Sequence, residues 1–435
     1  MGNAILFILI TIELFFCIWN IIARDYHKQE KSIANIGLLL LFLVLSIGGV
    51  IEWSFRYYML AIVLVTQAVL AARRIYINIK TEKTERITET KQVFRLVSKS
   101  VWNVVGKSIL YATSLLLAIL CPQYELVLET GNYEVDTAIY TFVDDNRSQP
   151  YMQQGNREVN IQCWFPSYES YDLEKREKYP LVIFSHGTYG VKLTNESLFR
   201  ELASHGYVVC SLDHPYHSFF TMNDKNQVTV VSQEYLNQYV EFANTVDANI
   251  GYPYIGEWME IRTADMEFVI DEIITDAEGQ GMLGISEIVD TDTIIAAGHS
   301  MGGSAALLLG RTRDDIDAVI ALEAPYLGDI TGVVNDDFTW LDESYPVPVL
   351  NIYSDSSWGS FEDSITYTQN EKMLEDLNTK NVYIEGTRHL GLTDLSLLCP
   401  MAVEMLDGEK SEKDAHEVLE QINREALTFL DEKLK

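Results

Sequence analysis

Hydrophobic and polar positions fall into two regimes that meet near residue 121. Before that point apolar residues come in long runs, over 4–23, 35–51 and 57–72, with a fourth over 101–121 that reaches spanning length if Lys107 snorkels to an interface. Beyond residue 121 the period shortens. Tyr133 to Val143 and Val159 to Phe165 alternate as strands, with a polar loop at 144–155 between them. Short apolar runs at Leu181–Phe184, Tyr207–Leu212, Thr293–Ala297, Ala318–Leu322, Val347–Tyr353 and Val382–Ile384 then read as buried strands. They alternate with helical stretches near 194–204, 230–248, 256–275, 302–311, 364–379 and 412–433. The pattern predicts an α/β domain over 122–435, with a mostly parallel sheet and helices on both faces, preceded over 1–121 by an all-α bundle of about four transmembrane helices.

Charge sharpens this division. Residues 1–121 hold 13 Lys+Arg against 7 Asp+Glu, whereas the remainder holds 19 against 56. So acidic a body repels phosphate backbones, which argues against a nucleic-acid partner. The basic residues cluster at 24–33 and 73–107, and the residues before the first run have none. The positive-inside rule places both clusters in the cytoplasm, so four spans put the acidic domain outside a multi-pass cell-membrane anchor. The first run lacks a preceding basic residue and a small-residue cleavage site, which favours a retained helix over a cleaved signal. Residues 80–100 read as a polar cytoplasmic connector. Glu13 is expected to face the bundle interior, protonated or hydrogen-bonded, in a bundle without clustered charges. None of the five cysteines shows Cys-x-x-Cys spacing; Cys163 and Cys210 are expected to be buried apolar fillers.

The chemistry centres on Gly298-His299-Ser300-Met301-Gly302-Gly303, which follows one apolar strand run and opens a helix. Strand, Gly-x-Ser-x-Gly and helix are the context of a nucleophile elbow, in which the serine hydroxyl stands exposed above a sheet. An attacking serine needs a base, and the base a carboxylate, in the chain order serine, acid, histidine on folds with this elbow. Only His389 and His416 follow Ser300, and His416 lies in an acidic helical stretch, which leaves His389 in a loop after a strand. Glu323 and Asp355 both follow strands between them, with Asp329 a little further on, and spacing does not separate the first two. Oxyanion donors are expected at the backbone N–H groups of Met301 and Thr188, the latter in Phe184-Ser-His-Gly-Thr-Tyr-Gly190. His186 precedes the serine and is expected to shape that loop. The pair His214-x-x-His217, with Asp213 before it, lacks a further protein ligand nearby, so no metal is expected. No phosphate loop, dinucleotide fingerprint or Cys/His cluster is present in the sequence, so cofactor-free hydrolysis or acyl transfer is expected.

Over about 131–395 the chain resembles the platelet-activating factor acetylhydrolase family of the α/β-hydrolases. The resemblance rests on Gly131-Asn-Tyr-Glu-Val-Asp-Thr, Arg157 to Pro166, Phe184-Ser-His-Gly187, Leu202 to Tyr207, Asp213-His214 and Glu257 to Arg262. It implies an α/β-hydrolase fold and metal-independent cleavage of carboxylic esters, such as short or oxidised acyl groups on phospholipids. It favours Glu323, in Ala321-Leu-Glu-Ala324, where the family carries aspartate, and leaves Asp355 as the reserve. His389, Thr188 and Met301 match the family's histidine and oxyanion donors, and the membrane segment is an addition to it. An acyltransferase or peptidase on the same triad, or a silent extracellular binding or sensory domain, are the alternatives. Phe219, Phe220, Trp340, Trp358 and Phe361 are candidates to line an acyl pocket.

Overall fold

The structure, a computed structural model, describes residues 1–78, 90–152, 155–167, 178–279 and 284–434. It divides into two compact units: Met1–Glu125 with Leu397–Met405, and Leu126–Ser396 with Leu406–Lys435.

The first unit is helical. Its long helices are α1 (Gly2–Ala23), α2 (Lys28–Ile47), α3 (Phe55–Asn78) and α4 (Thr90–Ser114), and a short turn of helix, Leu116–Leu120, follows. Gly2–Ala23, Lys28–Ile47 and Phe55–Ile77 are long and apolar enough to cross a membrane. Phe7, Ile22 and Ile47 face outward, while Leu9, Phe42, Leu60 and Leu115 pack within. Helices that are apolar all round suit a lipid solvent. α4 carries Lys91, Arg95 and Lys99 in its first half, so its apolar stretch is shorter. The predicted connector at 80–100 is described only from Thr90 onward, where it opens α4; its earlier part lies outside the described residues.

The expectation of a bundle without clustered charges is overturned. Buried Glu13 pairs with Lys31 of α2 and, at 2.5 Å, with Lys107 of α4. Gln67 of α3 accepts from Tyr111 at 2.9 Å and from Lys107 at 3.3 Å. One polar node therefore joins all four long helices, and Lys107 turns inward instead of snorkelling. A buried carboxylate requires such partners. They are 18 and 94 residues from Glu13, which hid them from a local reading.

The second unit is built on an eight-stranded sheet. Its strands are β1 (Val135–Ser148), β2 (Asn156–Pro166), β3 (Tyr179–Ser185), β4 (Val208–Asp213), β5 (Val289–His299), β6 (Ala318–Leu322), β7 (Val349–Tyr353) and β8 (Thr379–Tyr383). The spatial order is β1-β2-β4-β3-β5-β6-β7-β8, antiparallel at β1, β2 and β4 and parallel onward from β4. β4, β6 and β7 are buried along their whole length, as short apolar runs in a two-faced sheet must be. β1 continues through Ser148 into the stretch expected to be loop. The helices are α5 (Glu196–Ser204), α6 (Gln233–Thr245), α7 (Ala248–Glu278), α8 (Met301–Thr312) and α9 (Ala415–Leu434). The helix expected at 364–379 is shorter, Thr368–Met373. Two small hairpins escaped the periodicity, Phe220–Met222 with Val228–Val230 and Ile330–Val334 with Asp337–Trp340, because three to five residues give too few alternations.

The cysteine expectation also needs correction. Cys163 of β2 sits directly opposite Cys210 of β4, and the two form a disulfide with Cα atoms 4.1 Å apart. Cys121 pairs with Cys399, and Cys17 is a buried free thiol. Strand register, unknown from sequence, brings the first pair together. Alkylation of the unfolded, unreduced protein is expected to modify one cysteine, and alkylation after reduction all five. Intact mass measurement checks this, and additional alkylation before reduction would contradict the pairing.

Candidate active site

The turn between β5 and α8 is the sharpest feature of the sheet. Ser300 has φ 54° and ψ −127°, a region that side chains with a Cβ rarely enter. Its N–H donates to Leu322 O at 2.8 Å, which ties the turn to the end of β6. The glycines around it are sterically required. A Cβ on Gly298 would lie 2.4 Å from the Gly302 backbone, and one on Gly302 would lie 2.1 Å from Ser185 O. The start of α8 therefore sits directly on the end of β3. Residues 294–299 and 301–307 are buried, whereas Ser300 itself is half-exposed. The turn lifts one hydroxyl out of a closed core.

The loop after β3 lies against that serine. A Cβ on Gly187 would meet His299 Nδ1 at 2.8 Å and Ser300 Cβ at 3.3 Å. Thr188 follows, half-exposed, and its hydroxyl approaches Met301 Sδ at 3.9 Å. Among the described residues, neither the Thr188 nor the Met301 N–H donates to a protein acceptor. His186 is fully buried. Its Nδ1 meets Gly187 O at 2.7 Å and its Nε2 meets the Ser218 hydroxyl at 2.7 Å. Burial, and then the nearby Arg262 charge, hold its pKa well below 6.5. The ring is thus neutral, with the proton on the nitrogen that faces the carbonyl.

His389 opens the loop beyond β8. Its ring centroid lies 4.7 Å from that of His299, and its carbonyl lies 3.1 Å from His299 Nε2, so the strand residue before Ser300 touches it. Its N–H donates to Ser356 Oγ at 2.9 Å. Burial pushes its pKa down to about 4. The two carboxylates expected to compete differ in setting. Glu323 follows β6 with φ 47° and is wholly buried. One of its oxygens accepts the Ser354 N–H at 2.5 Å, and the other has no partner among the described residues. Burial raises its pKa to about 6, against the lowering influence of the Ser357 hydroxyl and of the hydrogen bonding from Ser354. Asp355 is half-buried, and its carboxylate accepts from Tyr383 OH at 2.7 Å and Gly386 N–H at 3.1 Å, which fastens the strand preceding the His389 loop. Asp329 is taken by Arg311 and Gln369.

The other histidines and aromatics have separate partners. His214 Nδ1 meets Asp265 Oδ2 at 2.8 Å, and its Nε2 meets Ser185 Oγ at 2.8 Å. His217 stacks on Tyr235, with centroids 3.9 Å apart, and meets Tyr151 OH at 2.9 Å. Asp213 holds Lys192 through both its oxygens. Trp358 stacks on Tyr383, Phe361 packs on Tyr353 and Trp340 on Phe338, whereas Phe219 and Phe220 project outward. Sequence reasoning passed over Arg157, Arg262 and Asp265, all fully buried charges of this region. The stretches Arg157 to Pro166 and Glu257 to Arg262 held two of them, but nothing local marks either as buried.

The family model described as "Platelet-activating factor acetylhydrolase, isoform II" matches residues 147–251 and 263–435. The platelet-activating factor acetylhydrolase of Bos taurus is 23% identical over 283 residues, covering 60% of this chain and 59% of the relative. That of Gallus gallus is 23% identical over 279 residues, covering 59% of this chain and 63% of the relative. The chain thus spans less than two thirds of either. A ferulic acid esterase from Streptomyces cinnamoneus superposes with a TM-score of 0.55 at 20% identity, covering 71% of this chain and 93% of its own, which establishes a shared α/β-hydrolase fold.

The packing of α8 on β3 gives a direct test. Gly302→Ala must push the helix start or the loop aside, at a cost of about 3 kcal/mol by analogy with overpacked cores. A lowered thermal midpoint is the expected result, and an unchanged midpoint would contradict the contact.

Proposed function

The chain belongs to the platelet-activating factor acetylhydrolase isoform II family, and from that premise we propose that it is a membrane-anchored serine hydrolase of carboxylic esters. The observation that carries the reading is the strained, half-exposed Ser300 with an amide-bearing loop against it and His389 packed on the preceding residue, His299. Ser300 Oγ attacks the acyl carbonyl while His389 takes its proton. Glu323 orients the imidazole and balances its charge; its unpaired buried oxygen supports this role, since such an atom is costly unless a donor meets it. The Thr188 and Met301 amides stabilise the oxyanion. The imidazolium then protonates the leaving alcohol, and water, activated by the same histidine, releases the acid. The residues suffice for this chemistry without a cofactor.

The bovine and chicken relatives are named for platelet-activating factor, so short or oxidised acyl groups on phospholipids are the proposed substrates. Helices α1 to α3 supply the anchor, and α4, which lies beside α1 through the Lys107–Glu13 pair, completes four spans. We place the catalytic domain over 122–435 outside the cytoplasm. The basic loops support this, as do the two disulfides, which persist on the oxidising side of a membrane.

Ser300→Ala is expected to lower turnover of p-nitrophenyl acetate by at least about 10³-fold; full activity in pure protein would sink the mechanism. Glu323→Gln should cost about 10²- to 10⁴-fold, and Asp355→Asn less than about tenfold. The reverse order would make Asp355 the triad acid.

The acidity of the pair sets a pH profile. Burial depresses His389 to about 4 and raises Glu323 to about 6. Both must be unprotonated to act, so kcat/KM is expected to rise with pH between about 4 and 6 and stay level above. Glu323→Gln should remove the step near pH 6. A limb centred above pH 7 would contradict the assignment.

A further inference from the structure

The long helix α7 sends a fully buried arginine to the backbone of the loop that faces Ser300. Arg262 Nη1 donates to His186 O at 2.6 Å, and Nη2 reaches Gly187 O at 3.4 Å. The same Gly187 carbonyl also accepts from His186 Nδ1 at 2.7 Å. The nearby carboxylate, Asp265, is committed elsewhere. Its oxygens take Arg157 at 2.9 and 2.5 Å, Arg147 at 3.1 Å and His214 at 2.8 Å. The guanidinium also meets the Tyr235 hydroxyl, and a buried cation spent on carbonyls and a phenol is a costly way to fill a core.

Peptide geometry connects these bonds to the site. In a trans peptide the C=O and the following N–H lie in one plane and point in opposite directions. A guanidinium and an imidazole hold the Gly187 carbonyl on one side. The N–H of Thr188 must therefore point to the other. A cation on the carbonyl end also polarises the peptide and makes its N–H a stronger donor. Gly187 keeps this peptide beside the nucleophile, because a Cβ there would lie 2.8 Å from His299 Nδ1 and 3.3 Å from Ser300 Cβ. The His186 tautomer needed for the second bond is fixed by the Ser218 hydroxyl, which donates to Nε2 and accepts the His214 N–H at 3.0 Å.

We propose that Arg262 is a positioning residue for the oxyanion: it aims and polarises the Thr188 amide through the Gly187 carbonyl. This rests on the reading of Thr188 as an oxyanion donor. Arg262 touches no reacting atom, so its effect should grow as the carbonyl oxygen gains charge and be small on ester binding.

The test compares the full-length protein with Arg262→Met and Arg262→Lys. Active sites are titrated with a fluorophosphonate run to its endpoint, so that kcat refers to folded, competent protein. Arg262→Met is expected to lower kcat per titrated site by about 30-fold, a fraction of the loss seen when an oxyanion donor is deleted. KM should stay within about twofold. The inhibition constant of a trifluoromethyl ketone, whose serine-bound hemiketal carries the oxyanion, should rise in parallel with the loss in kcat/KM. Arg262→Lys, which keeps the charge and can reach one carbonyl, should recover part of the loss. If Arg262→Met does not fold, Arg262→Lys decides, with a loss of about fivefold in kcat expected. Wild-type kcat per titrated site in the deciding variant, or a loss confined to KM, would overturn the proposal. Ser300→Ala separates the two levels: if it stays active, the underlying mechanism fails. If it is inactive while the deciding Arg262 variant has wild-type kcat, only the role of Arg262 fails.

Discussion

The close approach of α8 to the end of β3 is the constraint on which the rest of the site depends. Gly302 lies so near Ser185 O and His186 O that an added Cβ would sit 2.1 and 2.4 Å from them. The contact fixes where the helix begins. That start, with the Ser300 N–H tied to Leu322 O, forces Ser300 into its left-handed turn. The same contact brings the loop at 186–190 under the serine. Strain at the turn is held by packing on both sides: by a buried β5 beneath it and a buried α8 behind it.

Electrostatics in this layer follow from burial. His186, His214, His217 and His299 lie inside and are held neutral there. Neutral rings have one donor and one acceptor nitrogen, so their neighbours determine which nitrogen carries the proton. The ionic anchor beneath them is Asp265, whose carboxyl burial would raise but the Arg157 guanidinium holds well below the usual range. It pins α7 to β2 through Arg157 and to the residue after β4 through His214. With α7 fixed in this way, Arg262, three residues earlier and nearly a helical turn away, is delivered to the loop carbonyls. A chain of packed polar contacts thus runs from the sheet edge to the proposed oxyanion amide.

What the sequence disclosed, and what it withheld, divides by range. Ser300, His389 and the loop carrying Thr188 could be proposed from the sequence because each sits beside a strand run in a short segment whose glycines and order have local meaning. Ala318–Leu322 could be bounded to the residue because a buried parallel strand has no polar position to blur it. Features made by distant residues were not legible. The Glu13 node, both disulfides and the Asp265 network each join segments 18 to 278 residues apart. The choice between Glu323 and Asp355 stayed open for a related reason. Both follow strands, so spacing did not separate them and the family resemblance alone favoured Glu323; in three dimensions one carboxylate is buried and the other fastens a strand end.

Among the described residues, the proposed set of serine, histidine and carboxylate can be compared with a second, and hydrogen-bond saturation tells them apart. In Ser185, His214 and Asp265 all members are wholly buried, and the hydroxyl, both ring nitrogens and both carboxylate oxygens are engaged. An arrangement so satisfied has no capacity left for a substrate and acts as a girder. In Ser300, His389 and Glu323 the hydroxyl is half-exposed, one carboxylate oxygen lacks a partner, and the serine backbone is strained. An unmet buried oxygen and a strained turn are costs that a fold would shed if they served nothing. The proposed catalytic set is thus the less comfortable of the two. Its fully satisfied counterpart lies under the loop that faces it, where rigidity is needed to hold an amide in place.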